Sequence, residues 1–245
     1  MCGIAGIAGR KDENLLRLMT RTLSHRGPNA EGFWCEEGIS LGHRRLSIID
    51  LSGGGQPMGY ADDRYQIVFN GEIYNYRELR RELVGLGKEF QRESDTEVLL
   101  AAYAAWGEAC LSRLEGMFAF ALWDRRERIL FIARDPVGIK PLYYAEVNDT
   151  LLFGSEIKAL LASPEVDRSL DYEALDDYLT WLYTVPPRTF YRGVRQLPPG
   201  HCLTWKEGRS SLRRYWRLAD RIPTAPLSAK DSEEKLYARL QDTID

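Results

Sequence analysis

A cysteine at position two, followed by glycine, is the residue in this chain best placed to attack a carbonyl. If Met1 is removed, Cys2 carries a thiol and a free α-amine on the same carbon. Reference pKa values of about 8.5 for a thiol and about 7.7–8.0 for an α-amine leave that amine partly neutral at pH 7. It then serves as a base, directly or through one water, and no histidine is needed. Position alone describes a small buried cysteine in a first strand equally well, although Gly3 gives a substrate room to approach the backbone. An acyl-transfer nucleophile also needs an oxyanion hole. Asn70-Gly71, closing the strand-like run YQIVFNG (65–71), offers an amide side chain and an unhindered backbone N–H, two donors for one carbonyl oxygen. The same dipeptide is a common hairpin turn. Arg44 and Arg45 close LGHRRLSII, and a guanidinium fork suits a carboxylate. Asp95 and Glu72 could hold an ammonium; equally, Asp95 could serve the dipole of the helix it begins and Glu72 could be a solvated acid. Each feature is bland alone. The chemistry they share is acyl transfer on a small zwitterion.

The elements around these residues read as mixed α and β. CGIAGIAG (2–9) predicts a buried strand whose small residues suit close packing, and Leu15, Leu16, Leu18, Met19 and Leu23 fit one face of a helix over 13–24. HRGPNAEG (25–32) is turn chemistry. Strands are predicted near 32–36 and 39–49, before the Gly-rich SGGGQP (52–57), and a helix over 76–86. SDTEVLLAAYAAW (94–106) predicts a helix with Ser94 and Glu97 at capping-box spacing and Val98, Leu99, Ala102 and Trp106 as its apolar stripe. Four strands follow, at 117–123, 128–134, 142–147 and 151–154. The pattern is that of layered sheets with helices outside, an α+β arrangement. Beyond residue 170 an amphipathic helix (171–182), a Pro/Gly-rich stretch (185–201), an edge strand CLTW (202–205) and a charged tail with a helical pattern (217–245) are expected.

Composition narrows the function classes. The chain has 245 residues, 44% hydrophobic and 28% charged, enough for one large domain or one domain and part of another. Lys and Arg number 33 against 36 Asp and Glu, a net charge of −3. That balance argues against nucleic-acid or polybasic membrane surfaces. No stretch approaches the ~18 apolar residues of a membrane helix. The short apolar start is followed, not preceded, by Arg10 and Lys11, so it is not a signal peptide and the expected compartment is the cytoplasm. Cys2, Cys35, Cys110 and Cys202 are then free thiols, the last three expected to be inert. His25, His43 and His201 show no metal-ligand spacing with them, so no metal is expected.

MCGIAG, HRGPNAEG, GHRRLSIIDLSGGGQPM, VFNGEIYNYRELR, SDTEVLL, LEGMFAFALWD, RDPVGIKPLYY, FGSEIKALL and PPRTFYRGVRQLPPGH occur in this order. Over residues 2–216 the chain closely resembles the N-terminal, glutamine-hydrolysing part of the glutamine-dependent asparagine synthetases, a class II glutamine amidotransferase domain. The resemblance implies the four-layer αββα sandwich of the N-terminal nucleophile hydrolases. It implies L-glutamine as substrate, hydrolysed to glutamate and ammonia through a thioester. Cys2 matches the nucleophile, with its α-amine as base; Asn70 and Gly71 match the oxyanion hole; Arg45 matches the grip on the glutamine α-carboxylate; and Asp95 and Glu72 match the grip on its α-amino group. His25, Arg26, Gly27 and Pro28 match a loop that closes over bound glutamine. RDPVGIKPLYY and FGSEIKALL are expected to be structural, Arg134 pairing with Asp135. The resemblance makes residues 217–245 a linker to, or the start of, a C-terminal synthetase domain, which is the expected partner. ATP and magnesium belong to that domain, and the glutaminase half needs no cofactor. No SGGLDS string occurs, and SGGGQ (52–56) lacks the GxxxxGK[ST] form. Productive ATP binding and asparagine synthesis are therefore not expected of this segment. No nucleic acid or membrane partner is implied, and a homodimer is allowed. Two alternatives stand beside this reading: the glutaminase half of a related amidotransferase with another acceptor, and a catalytically silent assembly domain.

Overall fold

Alternation along β6 (Gly116–Asp124) sets the plan of the molecule. Phe118, Phe120 and Leu122 lie in one core and Ala119, Ala121 and Trp123 in another. The strand is thus covered on both faces, as side chains of period two require of a central strand. The computed structural model describes residues 1–46, 54–222 and 228–244, with side chains through 241. It contains two six-stranded antiparallel sheets. The first runs β10 (Arg195–Gln196), β8 (Tyr143–Val147), β9 (Thr150–Gly154), β1 (Gly3–Ala8), β3 (Ile39–Arg45), β2 (Ala30–Glu36). The second runs β12 (Arg209–Arg214), β11 (His201–Lys206), β7 (Ile129–Arg134), β6, β5 (Tyr65–Ile73), β4 (Met58–Tyr60).

The sheets face each other. Ile4, Leu41 and Phe153 of the first meet Val68, Trp123 and Leu203 of the second. The outer face of the first sheet is covered by α1 (Glu13–Thr22) and α4 (Ile157–Leu160), whose Leu16, Met19 and Leu160 pack with Ala5, Ile7 and Leu152. The outer face of the second is covered by α2 (Tyr76–Gly85) and α3 (Asp95–Trp106), whose Leu83, Val98 and Leu99 pack with Ile67, Phe118 and Phe131. This is the expected αββα sandwich. Large side chains such as Phe118, Phe120 and Trp123 are almost wholly buried, each worth about 1.5–3 kcal/mol of transfer free energy. Beyond the sandwich lie α5 (Tyr172–Trp181) and α6 (Ala229–Ile244). Among the described residues no helix is long and apolar enough to cross a membrane.

Several expectations change in detail. Leu18 does not join the buried face of α1 and is exposed. CLTW is not an edge: β11 lies between β7 and β12, because a tight hairpin at Glu207-Gly208 returns the chain. Both turn residues have positive φ, as in the type I′ turns that suit strand twist. The polar RSSLRR of β12 lacks the alternation that would have marked it. Ser94 caps α3, accepting from the Glu97 N–H at 3.2 Å. The box stays half-made, since the Glu97 carboxylate accepts instead from Gln91 N–H (2.9 Å) and Arg92 N–H (2.7 Å). Arg134 and Asp135 do not pair with each other. Arg134 donates to the carbonyls of Lys140, Leu197 and Gly138, and Asp135 accepts the N–H groups of Phe118, Val137, Ile139 and Lys140. The predicted strand residues 47–49 and the first two residues of SGGGQ, 52 and 53, lie outside the described residues.

A Cβ on Gly6 would stand 2.3 Å from the ring of Phe153, its partner across the ladder on β9, so β1 carries glycine where that ring packs over it into the inter-sheet core. The buried His43, on β3, bonds through Nε2 to the Phe69 carbonyl of β5 at 3.2 Å, so Nε2 carries the proton. Burial pushes this imidazole down to about 4, against the pull of the Phe69 bond and aided by the nearby Arg45 charge. Gly6→Val is expected to lower stability by about 1–3 kcal/mol, the range for overpacking, read as a fall in Tm. His43 is expected to stay neutral at pH 5 in an NMR titration. Its depressed pKa contributes stability present above about pH 6.5 and lost as pH falls toward 4, about 3 kcal/mol at 1.36 kcal/mol per unit. A His43→Gln variant is expected to lack that part of the acid sensitivity.

Candidate active site

Parity along three strands assembles the site. On β1, Ile4 and Ala8 face the second sheet, and Cys2, just before the strand, keeps their parity. On β3, Ile39 and Leu41 face inward, as do His43 and Arg45 by the same count. On β5, Val68 faces inward, and Asn70 and Glu72 follow it. The three ends meet at one edge of the inter-sheet layer, around a cleft of about 120 Å³ lined by Cys2, Arg45, Asn70, Gly71, Glu72 and Asp95. All six residues assigned from sequence to catalysis or glutamine binding are thus brought together. Met1, His43, Gln56, Ser94, Thr96 and Lys140 also line it. The volume suits a small metabolite, well below the roughly 300–1,000 Å³ of pockets for drug-sized ligands.

The Cys2 thiol lies against the Leu46 backbone: Leu46 N–H donates to Sγ at 3.5 Å and Sγ faces the Leu46 carbonyl at 3.8 Å. The Cys2 carbonyl accepts from Arg26 Nε at 2.9 Å. With Met1 attached, the Cys2 nitrogen is an amide with no lone pair for a proton. Cleavage after Met1 creates the amine where Met1 now lines the cleft.

Asn70 Nδ2 is buried and has no hydrogen-bond partner among the described residues. An unsatisfied buried donor costs about 1–3 kcal/mol, so it is maintained only where something is gained. The peptide before it is held from both sides: Phe69 N–H donates to Gln56 Oε1 at 2.6 Å, and the Phe69 carbonyl accepts from His43. Gly71 has a second reason to be glycine. Its Cβ would stand 2.3 Å from the Met117 carbonyl oxygen and 2.8 Å from Phe118 Cα on β6.

Asp95 is mostly buried, and its carboxyl is pushed above the usual range by that burial; bonds from the Ile73 and Thr96 N–H groups and the Thr96 hydroxyl oppose the shift, and the Glu72 charge adds to it. Its Oδ2 accepts from Ile73 N–H at 3.1 Å. Two acids in one cleft, one of them poorly solvated, leave room for a cation. Arg44, the other arginine of the pair, points away, donating to the Thr20 carbonyl and pairing with Glu31 at 2.6 Å. Of the HRGP segment, Arg26 reaches Cys2, and none of the four residues lines the cleft. His25 bonds Glu156 at 2.9 Å. A Cβ on Gly27 would lie 2.3–2.5 Å from the Arg44–Arg45 peptide, and Asn29 N–H donates to the Arg45 carbonyl at 3.1 Å. The segment therefore braces Cys2 and Arg45 from behind. Sequence reasoning missed Gln56, His43, Lys140 and Glu156. Each lies inside a motif already noted, and only their contacts give them a role. Burial pushes the thiols of Cys110 and Cys202 up to about 12 and about 11, and that of Cys35 upward as well, which suits inert cysteines.

The chain is similar to several known proteins. The asparagine synthetase [glutamine-hydrolyzing] 1 of Bacillus subtilis is 40% identical over 252 residues, covering 100% of this chain and 39% of the relative. A putative asparagine synthetase of Mycobacterium bovis is 44% identical over 211 residues, 81% of this chain and 32% of that one. The amidase chyE of Penicillium rubens is 40% identical, with 91% of this chain and 33% of its own length covered. The chain spans about two fifths or less of the length of these relatives. Among solved structures, the glutamine phosphoribosylpyrophosphate amidotransferase of B. subtilis superposes with a TM-score of 0.63 at 20% identity, over 88% of this chain and 49% of that one, a likeness of fold. The glutamine amidotransferase domain family matches residues 1–216, and the chain belongs to it.

Proposed function

We propose that this domain hydrolyses L-glutamine to glutamate and ammonia through a thioester on Cys2. The observation that carries the reading is the buried, unpartnered Asn70 Nδ2 in the cleft that also holds Cys2, Arg45 and the Asp95–Glu72 pair. Glutamine fits these groups end to end. Its α-carboxylate meets Arg45, its ammonium lies between Asp95 and Glu72, and its amide oxygen takes bonds from Asn70 Nδ2 and the Gly71 N–H. An analogue lacking either charge leaves a charged group of the site unpaired, which is how such a cleft discriminates.

The chemistry follows from this pose. Once Met1 is removed, the Cys2 α-amine takes the thiol proton as Sγ bonds to the amide carbon. The two donors hold the oxyanion. The α-ammonium returns its proton to nitrogen, the C–N bond breaks and ammonia leaves. The same amine then deprotonates a water that attacks the thioester, releasing glutamate and restoring the thiol. Chain residues supply every proton carrier in this scheme.

The ammonia is destined for an acceptor in a longer protein. The asparagine synthetases among the relatives favour aspartate, activated with ATP and magnesium in a further domain. That domain would cover the exposed Tyr172, Leu179 and Trp181 along α5 and Leu182 just past it.

Glutamate release without ATP, on protein whose intact mass shows loss of Met1, tests the reading. Cys2→Ala is expected to abolish release and Asn70→Ala to lower kcat by about 10²–10³. Undiminished release by Cys2→Ala would overturn the mechanism. Asp95→Asn is expected to raise KM for glutamine about 10- to 100-fold, matching about 1.5–3 kcal/mol for a bond to a charged group, without lowering Tm. Because Asp95 binds its proton more tightly than an ordinary aspartate, glutamine affinity is expected to weaken on acidification from above the usual carboxylate range. A KM profile against pH, flattened in Asp95→Asn, checks this.

A further inference from the structure

Three basic side chains converge on one carboxylate behind the nucleophile strand. Glu156 Oε1 accepts from Arg26 Nη1 at 3.0 Å and lies 2.9 Å from His25 Nε2, while Oε2 lies 3.0 Å from Lys158 Nζ. The Arg26 side chain is only 8% exposed, and its Nε is the group that holds the Cys2 carbonyl. Glu156 is thus one guanidinium away from the residue that attacks. The preceding residue is engaged as well. Buried Ser155 accepts the Ile4 N–H on its Oγ at 2.9 Å and donates its own N–H to the Ile4 carbonyl at 2.9 Å.

These bonds occur where the sheet stops providing them. β9 pairs with β1 from Ala8 as far as Ala5, opposite Gly154. Beyond Gly154 the chain turns into α4. Ser155 takes over at Ile4, and Glu156, through Arg26, takes over at Cys2. On the other flank β3 pairs only as far as Gly3, opposite Arg44. After loss of Met1, Cys2 becomes the first residue of the chain, and its carbonyl is the peptide group left to orient it on the β9 side.

We propose that Glu156 is a positioning residue for the reaction: acting through Arg26, it fixes the Cys2 carbonyl and so aims the thiol and α-amine at the substrate. This rests on the reading of Cys2 as the nucleophile. The planar guanidinium makes the linkage directional, since Nε and Nη1 address two partners in one plane. Burial disfavours the Glu156 charge, but bonds from Arg26, Lys158 and His25 outweigh it and pull the carboxyl down to about 2, so it stays ionised throughout the working range. Neutralising it leaves Arg26, Lys158 and, when protonated, His25 to repel one another, and Arg26 loses the partner that sets its plane. Misplacement by about 1 Å can cost on the order of 10²-fold in rate.

The experiment compares wild type, Cys2→Ala, Glu156→Gln and Glu156→Asp, each with Met1 loss confirmed by mass. Glutamine hydrolysis gives kcat and KM, a glutamine-shaped diazoketone reports productive alkylation of Cys2, and Tm reports folding. Glu156→Gln is expected to lower kcat at least tenfold and to slow diazoketone alkylation in parallel. KM should stay within about threefold, since Arg45, Asp95 and Glu72 are untouched. Glu156→Asp, charged but one methylene short, is expected to lie between Gln and wild type, and it decides the matter if the Gln variant does not fold. An unchanged kcat in a folded variant, a change in KM alone, or a loss that merely follows the unfolded fraction would each overturn the proposal. Absence of Cys2-dependent hydrolysis in the wild type would instead overturn the nucleophile reading on which it rests.

Discussion

β1 must be buried on both faces and yet offer its first residue to a substrate. Most of the site follows from that constraint. Six consecutive buried residues, Gly3–Ala8, lie at the centre of the first sheet between β9 and β3. Glycine and alanine dominate because the second sheet and α1 press on its two faces and the Phe153 ring of neighbouring β9 lies over Gly6. A strand gripped this firmly gives its terminal residue a fixed origin. Cys2 then needs control of only a few torsions, and side chains from the turn between α1 and β2 (Arg26) and from the β9–α4 junction (Glu156) supply it.

Side-chain-to-backbone bonds recur wherever a ladder ends at the cleft. β4 leaves β5 after Ile67, and the Phe69 peptide, now without a strand neighbour on that side, is held by Gln56 and by His43 from the other sheet. β9 leaves β1 after Ala5, and Ser155 and Arg26 take its place. A sheet edge normally exposes unpaired backbone groups. Here the vacated groups are bonded one by one to side chains of defined geometry, so Cys2 and Asn70 are set to tolerances a mobile loop could not keep.

Much of this was legible in the sequence. Small residues in β1, the strand-like runs at 65–71 and 117–123 and the Ser94 cap marked the elements, whereas the parity that brings Cys2, Arg45, Asn70 and Glu72 to one edge shows only in the structure. The chain of motifs carried their roles. What the sequence withheld were pairings made across long separations. Glu156 lies about 130 positions from the Arg26 it holds, and nothing local separates it from a helix-terminal acid. Arg134 and Asp135 look like an adjacent ion pair, but each is consumed by backbone groups. Arg44 and Arg45 are chemically identical neighbours, and only strand parity sends one to Glu31 and the other to the cleft. β12 was invisible because a polar edge strand has no period to detect.

The charges left in the cleft show how stability is traded against binding. Burial opposes the charge of Asp95, and Asn70 keeps a buried donor without an acceptor among the described residues. Each is a local cost in the ligand-free protein that a zwitterion bearing a carbonyl removes on binding. The surrounding core carries that cost, being apolar on three levels and tied across its sheets by a neutral histidine. Glu156 lies on the opposite side of this balance. Its charge is fully satisfied, as befits a group that must hold position rather than await a ligand. Asn70, in the cleft, keeps an unpartnered donor, while Glu156, behind it, has every oxygen bonded. That contrast separates a group left open for a ligand from one that holds position.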